Sequence, residues 1–210
     1  HEQAIYQHDG ECFQVEKFDH ENHKAFVRKV KPDYFTDAMT HSVVSILEEA
    51  NLDPSGAFKC AHGDVSVVEK VVGYKKIKFY THENSGYGEV HLPELELMTT
   101  AFWFEPSDAL LERAKLTKSM AVDALRGVGV ALETVATVRF MSDPRDIGST
   151  LSQPKSPGEE YTPTLFLYEH TPGGVGISSR IFEERVELLA AAKRLISKCK
   201  CVSGCPSCVG

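Results

Sequence analysis

Cys199-Lys-Cys-Val-Ser-Gly-Cys-Pro-Ser-Cys208 brings four cysteines together near the C-terminus, with the spacing Cys-x-Cys-x3-Cys-x2-Cys. Short loops between the cysteines let the backbone curl around one ion. Zn²⁺ favours four tetrahedral ligands, and thiolates suit it well. Gly204 and Pro206 supply the tight bend that such a zinc knuckle needs. We therefore predict one structural zinc ion bound by four ligands, Cys199, Cys201, Cys205 and Cys208.

Two other interpretations of these four cysteines stay open. An iron–sulfur cluster also uses four cysteines, and two disulfide bonds would use the same residues. The chain holds six cysteines, and Cys12 and Cys60 stand alone. Disulfide scaffolds instead distribute their cysteines along a short secreted chain. The distribution therefore indicates a reducing compartment and a metal. Four cysteine ligands leave no position for water, so the ion is expected to be structural rather than catalytic.

The bulk composition excludes several classes of protein. The 210 residues are enough for one large domain or two small ones. The formal net charge of -7 argues against a surface coated in positive charge, so a nucleic-acid contact would need a local basic patch. No apolar run approaches the ~20 residues that cross a bilayer. We expect a cytoplasmic protein, nucleoid-associated if bacterial, without membrane contacts. It begins at His1 without a signal peptide, and we expect it to be a piece of a longer polypeptide.

The pattern of apolar residues predicts two domains of different character. Residues 1–105 contain short apolar runs separated by Gly, Pro and Asn, which is typical of a small antiparallel β-barrel or sandwich. Within them, residues 40–50 are predicted to form a short helix. Residues 106–210 are predicted to be mainly helical, with the zinc knuckle at their end. The predicted fold class is therefore α+β.

Three features organise the second domain. Ser107 or Asp108 can cap the N-terminus of its first helix. Residues 152–163 contain three prolines and are predicted to form a loop. A strongly amphipathic helix is predicted from about residue 178 to residue 197, and it leads directly into the cysteines. We expect zinc to hold the C-terminal turn against this last helix.

A family resemblance rests on several stretches of the chain. They are Leu165-Phe-Leu-Tyr-Glu169, Pro172-Gly-Gly-Val-Gly176 and the cysteine tail, together with Ala4-Ile-Tyr6, Phe13-Gln-Val15 and Gly63-Asp-Val65 near the front. The tail resembles the C-terminal zinc-binding domain of MrfA/YprA-type DEAD/DEAH-box DNA helicases. The front is similar to the segment that follows the motor and winged-helix region in those proteins. The resemblance implies an ATP-driven 3′-to-5′ DNA helicase or translocase acting in DNA repair, with zinc on the four cysteines.

The motor that this resemblance implies is absent from the sequence. The chain has neither a Gly-x4-Gly-Lys-Ser/Thr phosphate loop nor an Asp-Glu-x-His motif. ATP and Mg²⁺ are therefore expected only in motor domains outside this chain. We expect the chain itself to be a non-catalytic accessory module that helps to grip single-stranded DNA. An alternative is a protein-interaction module that docks a repair partner such as a nuclease.

Two weaker patterns point to DNA contacts. Tyr74, Lys76, Lys78 and Tyr80 alternate along a predicted strand and would share one face, with rings to stack on bases and lysines to meet phosphates. A solvated strand face is the other interpretation. A glycine-rich turn precedes a predicted helix and could hold a backbone phosphate through Gly173, Gly174 and Gly176. Tight packing between strand and helix would explain the same glycines.

A third function, a metal-dependent nuclease, would need clustered carboxylates. The candidate ligands are Asp143, Asp146, Glu169, His170 and Glu183. Their spacing is not diagnostic of a two-metal site. The stretch around Asp143-Pro144 has the composition of an ordinary turn.

Overall fold

Two antiparallel sheets and four helices make up the structure, a computed structural model that describes residues 1–152, 161–206 and 208–210. The strands are β1 (Ile5–His8), β2 (Glu11–Asp19), β3 (Lys24–Val30), β4 (Tyr34–Asp53), β5 (Phe58–Lys78), β6 (Asn84–Gly88), β7 (Leu95–Pro106), β8 (Ile147–Leu151) and β9 (Leu165–Glu169). The helices are α1 (Asp108–Ala114), α2 (Lys118–Phe140), α3 (Ile177–Glu183) and α4 (Arg185–Lys198). The α+β class is confirmed.

The described strands form open sheets, so the barrel option is wrong. The three-stranded sheet has the order β1-β2-β3. The six-stranded sheet has the order β4-β5-β7-β9-β8, with β6 paired to β5. Because β4 and β8 remain as edge strands of this path, the larger sheet does not close on itself.

The helix predicted over residues 40–50 is wrong, because this segment lies within the long strand β4. Leu47-Glu48-Glu49-Ala50 favours a helix locally, whereas Val43, Val44 and Ile46 favour a strand. Pairing with β5 decides between them. At Gly63 of β5, a Cβ atom would lie 1.9 Å from the backbone oxygen of Glu48. The close approach of the two strands therefore requires glycine at this position.

The chain divides into two compact units that interleave along the sequence. Unit 1 comprises His1–Ser42 and Glu69–Leu95, and unit 2 comprises Val43–Val68 and Glu96–Gly210. The long strands β4 and β5 each contain residues of both units. The boundary predicted between residues 105 and 106 lies inside unit 2. It stays a prediction about which part of the chain folds independently.

The core of unit 2 lies on both faces of strands β7 and β9. Phe102 pairs with Leu167 and Phe104 with Leu165, and their side chains belong to the core that includes buried residues of α2, α3 and α4. Trp103, between them on β7, belongs instead to a second apolar cluster. All five residues of β9 are consequently buried. A five-residue strand thus supports two hydrophobic layers.

The helical predictions are partly confirmed. Ser107 is the N-cap of α1, and its hydroxyl accepts a hydrogen bond from the Leu110 backbone N–H at 3.3 Å. The long helix predicted over residues 178–197 is two helices, α3 and α4, interrupted at Glu184. Residues 153–160 of the predicted loop lie outside the described residues. No described helix is long and apolar enough to cross a membrane.

Candidate metal centre

The cysteine site begins where α4 ends. Cys199 is the C-cap of this helix and has an extended backbone, with φ −68° and ψ 134°. The chain then reverses through Gly204, whose φ of +97° lies in the left-handed region that glycine adopts without strain. The Cys205 carbonyl oxygen accepts hydrogen bonds from the backbone N–H groups of Cys208 and Gly210, at 2.9 and 3.1 Å. This turn places the third and fourth cysteines beside the first two.

The four sulfur atoms form one compact group. All four lie within 4.8 Å of one another. The Sγ–Sγ distances are 3.5 Å for Cys199–Cys205, 3.4 Å for Cys201–Cys208 and 3.5 Å for Cys205–Cys208. A tetrahedral ion with Zn–S distances of about 2.3 Å needs sulfur separations of about 3.8 Å. The site therefore fits a single four-coordinate ion, with no position left for a reactive water.

Backbone N–H groups and neighbouring sulfurs determine the protonation of the metal-free site. The Cys201 backbone N–H and the other three sulfurs lower the pKa of the Cys199 thiol to about 7. The sulfurs of Cys199 and Cys208 raise the pKa of Cys201 to about 12. The Cys199 thiolate therefore forms near neutral pH, while the proton of the Cys201 thiol must be displaced by a metal. The same N–H groups can orient and polarise the sulfurs around a bound ion.

The C-terminal tail after Cys205 packs against α2, whereas the sequence predicted that it would be held against the last helix. Val209 lies against Gly127 of α2, where an added Cβ would be 3.1 Å from the Val209 Cβ. Two residues further along α2, the Cβ position of Gly129 lies 3.2 Å from Leu165 Cδ1. Because Gly127 and Gly129 have no side chain, the tail and the sheet can pack directly against the backbone of α2. A metal on the cysteines would join the end of α4 to the first half of α2.

A buried carboxylate occupies the glycine-rich turn before α3. The Glu169 side chain is 1% exposed and accepts hydrogen bonds from the Val175 N–H at 2.6 Å and the Ser178 N–H at 2.8 Å. The hydroxyls of Ser178 and Thr100 donate from 2.7 and 3.0 Å. Burial alone would raise the pKa of Glu169, but these hydrogen bonds outweigh it and hold the pKa below its usual value. Glu169 thus fixes β9, β7 and the start of α3 together.

Two of the three glycines predicted to bind phosphate donate their backbone N–H groups to other partners. Gly173, Gly174 and Gly176 have positive φ angles of 74°, 70° and 89°. The backbone N–H of Gly173 donates to Met98 and that of Gly174 to Thr171, both at 2.9 Å. The backbone N–H groups of Val175 and Ser178 donate to the Glu169 carboxylate. The glycines therefore serve tight packing in the described chain, and phosphate binding by them stays a prediction.

Asp143, Asp146 and His170 lie near one another through backbone hydrogen bonds, but the ligand atoms of the nuclease candidates do not form a group that could share an ion. Asp143 pairs with Arg145, which lowers the pKa of Asp143 to about 2, and its N–H donates to the Asp146 carboxylate at 2.8 Å. These are the contacts of a turn. Glu183 is exposed, on the helix that follows Glu169. Among the described residues, the four cysteines form the group of at least three His, Cys, Asp or Glu side chains whose ligand atoms lie close enough together to share an ion.

The predicted DNA-binding residues on β5 do not form one exposed face. Tyr74 is only 5% exposed. The Lys76 ammonium lies 5.5 Å from the centre of the Tyr34 ring, and Lys78 pairs with Glu83 at 3.4 Å. Tyr80 lies in the turn after β5 and is 95% exposed. Lys76, Lys78 and Tyr80 therefore remain candidates for DNA contacts, whereas Tyr74 is a core residue in this state.

The burial of Tyr74 depends on the glycine opposite it. Tyr74 pairs with Gly88 of β6, and a Cβ there would lie 2.1 Å from the tyrosine ring. We expect Gly88→Ala to displace the ring and destabilise the chain by about 1–3 kcal/mol, measured by urea unfolding. In a Tyr74→Ala background the same change should cost little, because the obstructing ring is gone. An equal cost in both backgrounds would contradict the packing argument.

Tyr87 is an exposed aromatic residue that the sequence pattern did not indicate. Tyr87 is 66% exposed on β6 and is the cross-strand partner of Lys75 on β5. Residues directly opposite in an antiparallel pair lie on the same face. A ring and a cation are therefore presented together. The register of the hairpin produces this pair, and the spacing along either strand alone does not indicate it.

Comparisons with known proteins agree with the cysteine site. Residues 128–209 match the family model for the MrfA Zn-binding domain, MZB. The whole chain is 39% identical to the ATP-dependent helicase YprA of Bacillus subtilis and covers 27% of it. It also matches, over its full length, crystal structures of the DUF1998 helicase MrfA. The structure bound to DNA has a TM-score of 0.67 and 37% identity, and another has 0.66 and 32%. The chain covers 27% and 28% of those two chains.

Proposed function

We propose that this chain is an accessory module of a helicase, because residues 128–209 match the family model for the MrfA Zn-binding domain and the whole chain matches one part of YprA- and MrfA-type helicases. The parent protein is an ATP-dependent 3′-to-5′ DNA helicase or translocase that acts in DNA repair, in the cytoplasm or on the nucleoid. ATP and Mg²⁺ bind in the motor. This module carries one structural zinc ion and helps to guide single-stranded DNA.

The observation that carries the proposal is the complete coverage of this chain by a helicase crystallised on DNA. The chain contributes no phosphate loop of its own. Its four cysteines suit a structural ion, because a site closed by four thiolates has no open position for catalysis. A rigid, non-catalytic part of a larger machine is the role that these features support together.

The hairpin of β5 and β6 is the surface that we propose for single-stranded DNA. Tyr80 and Tyr87 expose their rings. Lys75 shares a face with Tyr87, Lys76 lies on the other face of the hairpin, and Lys78 is the last residue of β5. Aromatic rings stack on bases without sequence preference, and lysines neutralise phosphates. The formal charge of the chain is -7, so this local patch would have to overcome a repulsive background.

Lys76→Glu combined with Lys78→Glu is expected to weaken binding of a labelled oligo-dT by about tenfold or more at low salt, because phosphate contacts are lost. Tyr87→Ala should weaken it further through lost stacking. Fluorescence anisotropy across a salt series measures both effects. The matched control is Lys17→Glu with Lys24→Glu, which makes the same charge change at exposed lysines of β2 and β3. Equal losses in the two double variants would attribute the effect to net charge and remove the proposed surface.

A protein-interaction module that docks a repair partner, such as a nuclease, is the second candidate. It is favoured by an apolar groove of about 490 Å³ beside α4. If the chain binds no single-stranded DNA at any salt concentration but still binds a protein partner, that result would support this candidate over the first.

A further inference from the structure

The groove beside α4 is open and almost entirely apolar. Its walls are formed by Phe58 of β5, Val128 of α2 and the α4 residues Leu189, Ala190, Lys193 and Ile196. Phe58, Val128, Leu189 and Ile196 are each half-buried and pack against the main core of unit 2. Partly exposed apolar side chains gathered in one concave surface are a common mark of a binding site.

The groove has the dimensions of a helix-binding site. Leu189, Lys193 and Ile196 follow one another at helical spacing along α4, so the wall extends for about two turns, or roughly 10 Å. The Phe58 ring lies edge-on to Phe104, with 5.2 Å between ring centres, which anchors the facing wall to the core. An amphipathic helix docks into such grooves through residues at i, i+3 or i+4, and i+7.

One unpaired cation, Lys193, lines the groove, and two more lie on the same helix. Lys193, Arg194 and Lys198 are exposed on α4, and among the described residues none of them has a carboxylate within ion-pair distance. The other arginines of this region are engaged, since Arg185 pairs with Asp53 and Arg180 lies over the Phe140 ring. Lys193 projects from the groove lining itself, whereas Arg194 and Lys198 line a neighbouring hollow of α4 with Val135 of α2. A chain with a formal charge of -7 thus carries unpaired positive charge along this helix. This charge pattern is complementary to an acidic ligand.

We propose that the groove binds an acidic amphipathic helix of a protein partner, a proposal that rests on the interaction role given as the second candidate function. The apolar face of the partner helix lies on Phe58, Leu189 and Ile196, and its carboxylates meet Lys193 and the neighbouring cations. Nucleic acid is a poorer occupant, because the apolar walls offer few donors to phosphates. A second copy related by two-fold symmetry is also disfavoured, since it would place the same cations opposite each other.

The test is anisotropy titration of the zinc-loaded chain with a labelled peptide of about 14 residues. The peptide has leucines on one helical face and glutamates on the other, and its control is a scrambled peptide of identical composition. We expect the scrambled peptide to bind about tenfold more weakly, because it presents no continuous apolar face. Ala190→Glu and Lys193→Glu should each weaken binding of the ordered peptide severalfold. Both positions are exposed on a helix, so the fold should tolerate these changes.

Lys118→Glu is the matched control, because Lys118 is an exposed residue at the start of α2, outside the groove lining. It should bind the ordered peptide as the unmodified chain does. Equal binding of the ordered and scrambled peptides would overturn the proposal. So would concentration-dependent dimerisation that Ala190→Glu abolishes, or displacement of the peptide by oligo-dT. The DNA-binding proposal is tested separately at Lys76 and Lys78. The peptide-binding proposal and the DNA-binding proposal can therefore fail independently.

Discussion

A chain carrying Cys205→Ser and Cys208→Ser is expected to lose its zinc and to open first at its C-terminal end. The unmodified chain should hold about one zinc ion, because four sulfurs within 4.8 Å of one another provide a complete tetrahedral site. The double variant retains two thiolates, which is too few for a closed site. Elemental analysis of both purified chains measures the loss directly.

The structural consequence should be local before it is global. Cys208, Val209 and Gly210 are held by hydrogen bonds to the Cys205 carbonyl oxygen and by the contact of Val209 with Gly127. Without the metal, these contacts must alone offset the entropy of ordering the tail. Hydrogen exchange at the Val209 and Gly210 amides should accelerate by about 100-fold or more. The core of β7 and β9 should keep its protection.

Cys12→Ser serves as the control, because Cys12 lies on β2 and is absent from the four-sulfur group. It should retain full zinc occupancy. Iron with visible absorption in the unmodified chain would instead show a different metal and would contradict the zinc prediction. Unchanged exchange at the tail amides after zinc loss would show that packing on α2 holds the tail by itself.

Glu169→Gln is expected to destabilise the chain by about 2–3 kcal/mol, although the change removes only one charge. The carboxylate accepts hydrogen bonds from the Val175 and Ser178 backbone and from two hydroxyls. An amide has only one oxygen acceptor, and its NH₂ group would face N–H donors. At least one buried donor would then be left without a partner. The midpoint of urea unfolding, at constant slope, measures the change.

The matched control is Glu183→Gln, because Glu183 is exposed at the end of α3. It should change the free energy of unfolding by no more than about 0.5 kcal/mol. A similar cost for the two variants would contradict the role given to the hydrogen bonds of Glu169.

Acid should reduce the difference between the Glu169→Gln variant and the unmodified chain. The folded pKa of Glu169 lies below its usual value of 4.5, so the unfolded chain binds more protons in this range. The contribution of the carboxylate is therefore complete above pH 4.5 and is lost as the pH falls through the folded pKa. Unfolding free energies measured from neutral pH downwards should converge for the two proteins. A constant difference would show that the charge of Glu169 does not account for the effect.

Several features followed from short stretches of the sequence. The cysteine spacing predicted a four-ligand site, and the four sulfurs do gather in one group. Ser107 caps α1 as expected. In each case the determining residues lie within a few positions of one another. Local backbone geometry therefore limits the outcomes to a few.

Other features depended on residues far apart in the chain. The carboxylate of Glu169 meets Thr100, 69 positions away, and Asp53 meets Arg185, 132 positions away. Similarly, the segment predicted as a helix over residues 40–50 becomes a strand because β5 pairs with it, and Tyr74 is buried because Gly88 faces it.

Local sequence was enough to predict the four-cysteine group, the α+β class and the Ser107 cap of α1, because cysteine spacing, hydrophobic period and backbone propensity act over short distances. Only the tertiary structure decided that the anion at the α3 N-terminus is Glu169, that Tyr87 and Lys75 share a face, and that α4 borders an apolar groove. Those features arise from strand register and helix packing. Strand register and helix packing bring residues together that are far apart in the sequence. The stabilisation from these contacts cannot be inferred from a local sequence pattern.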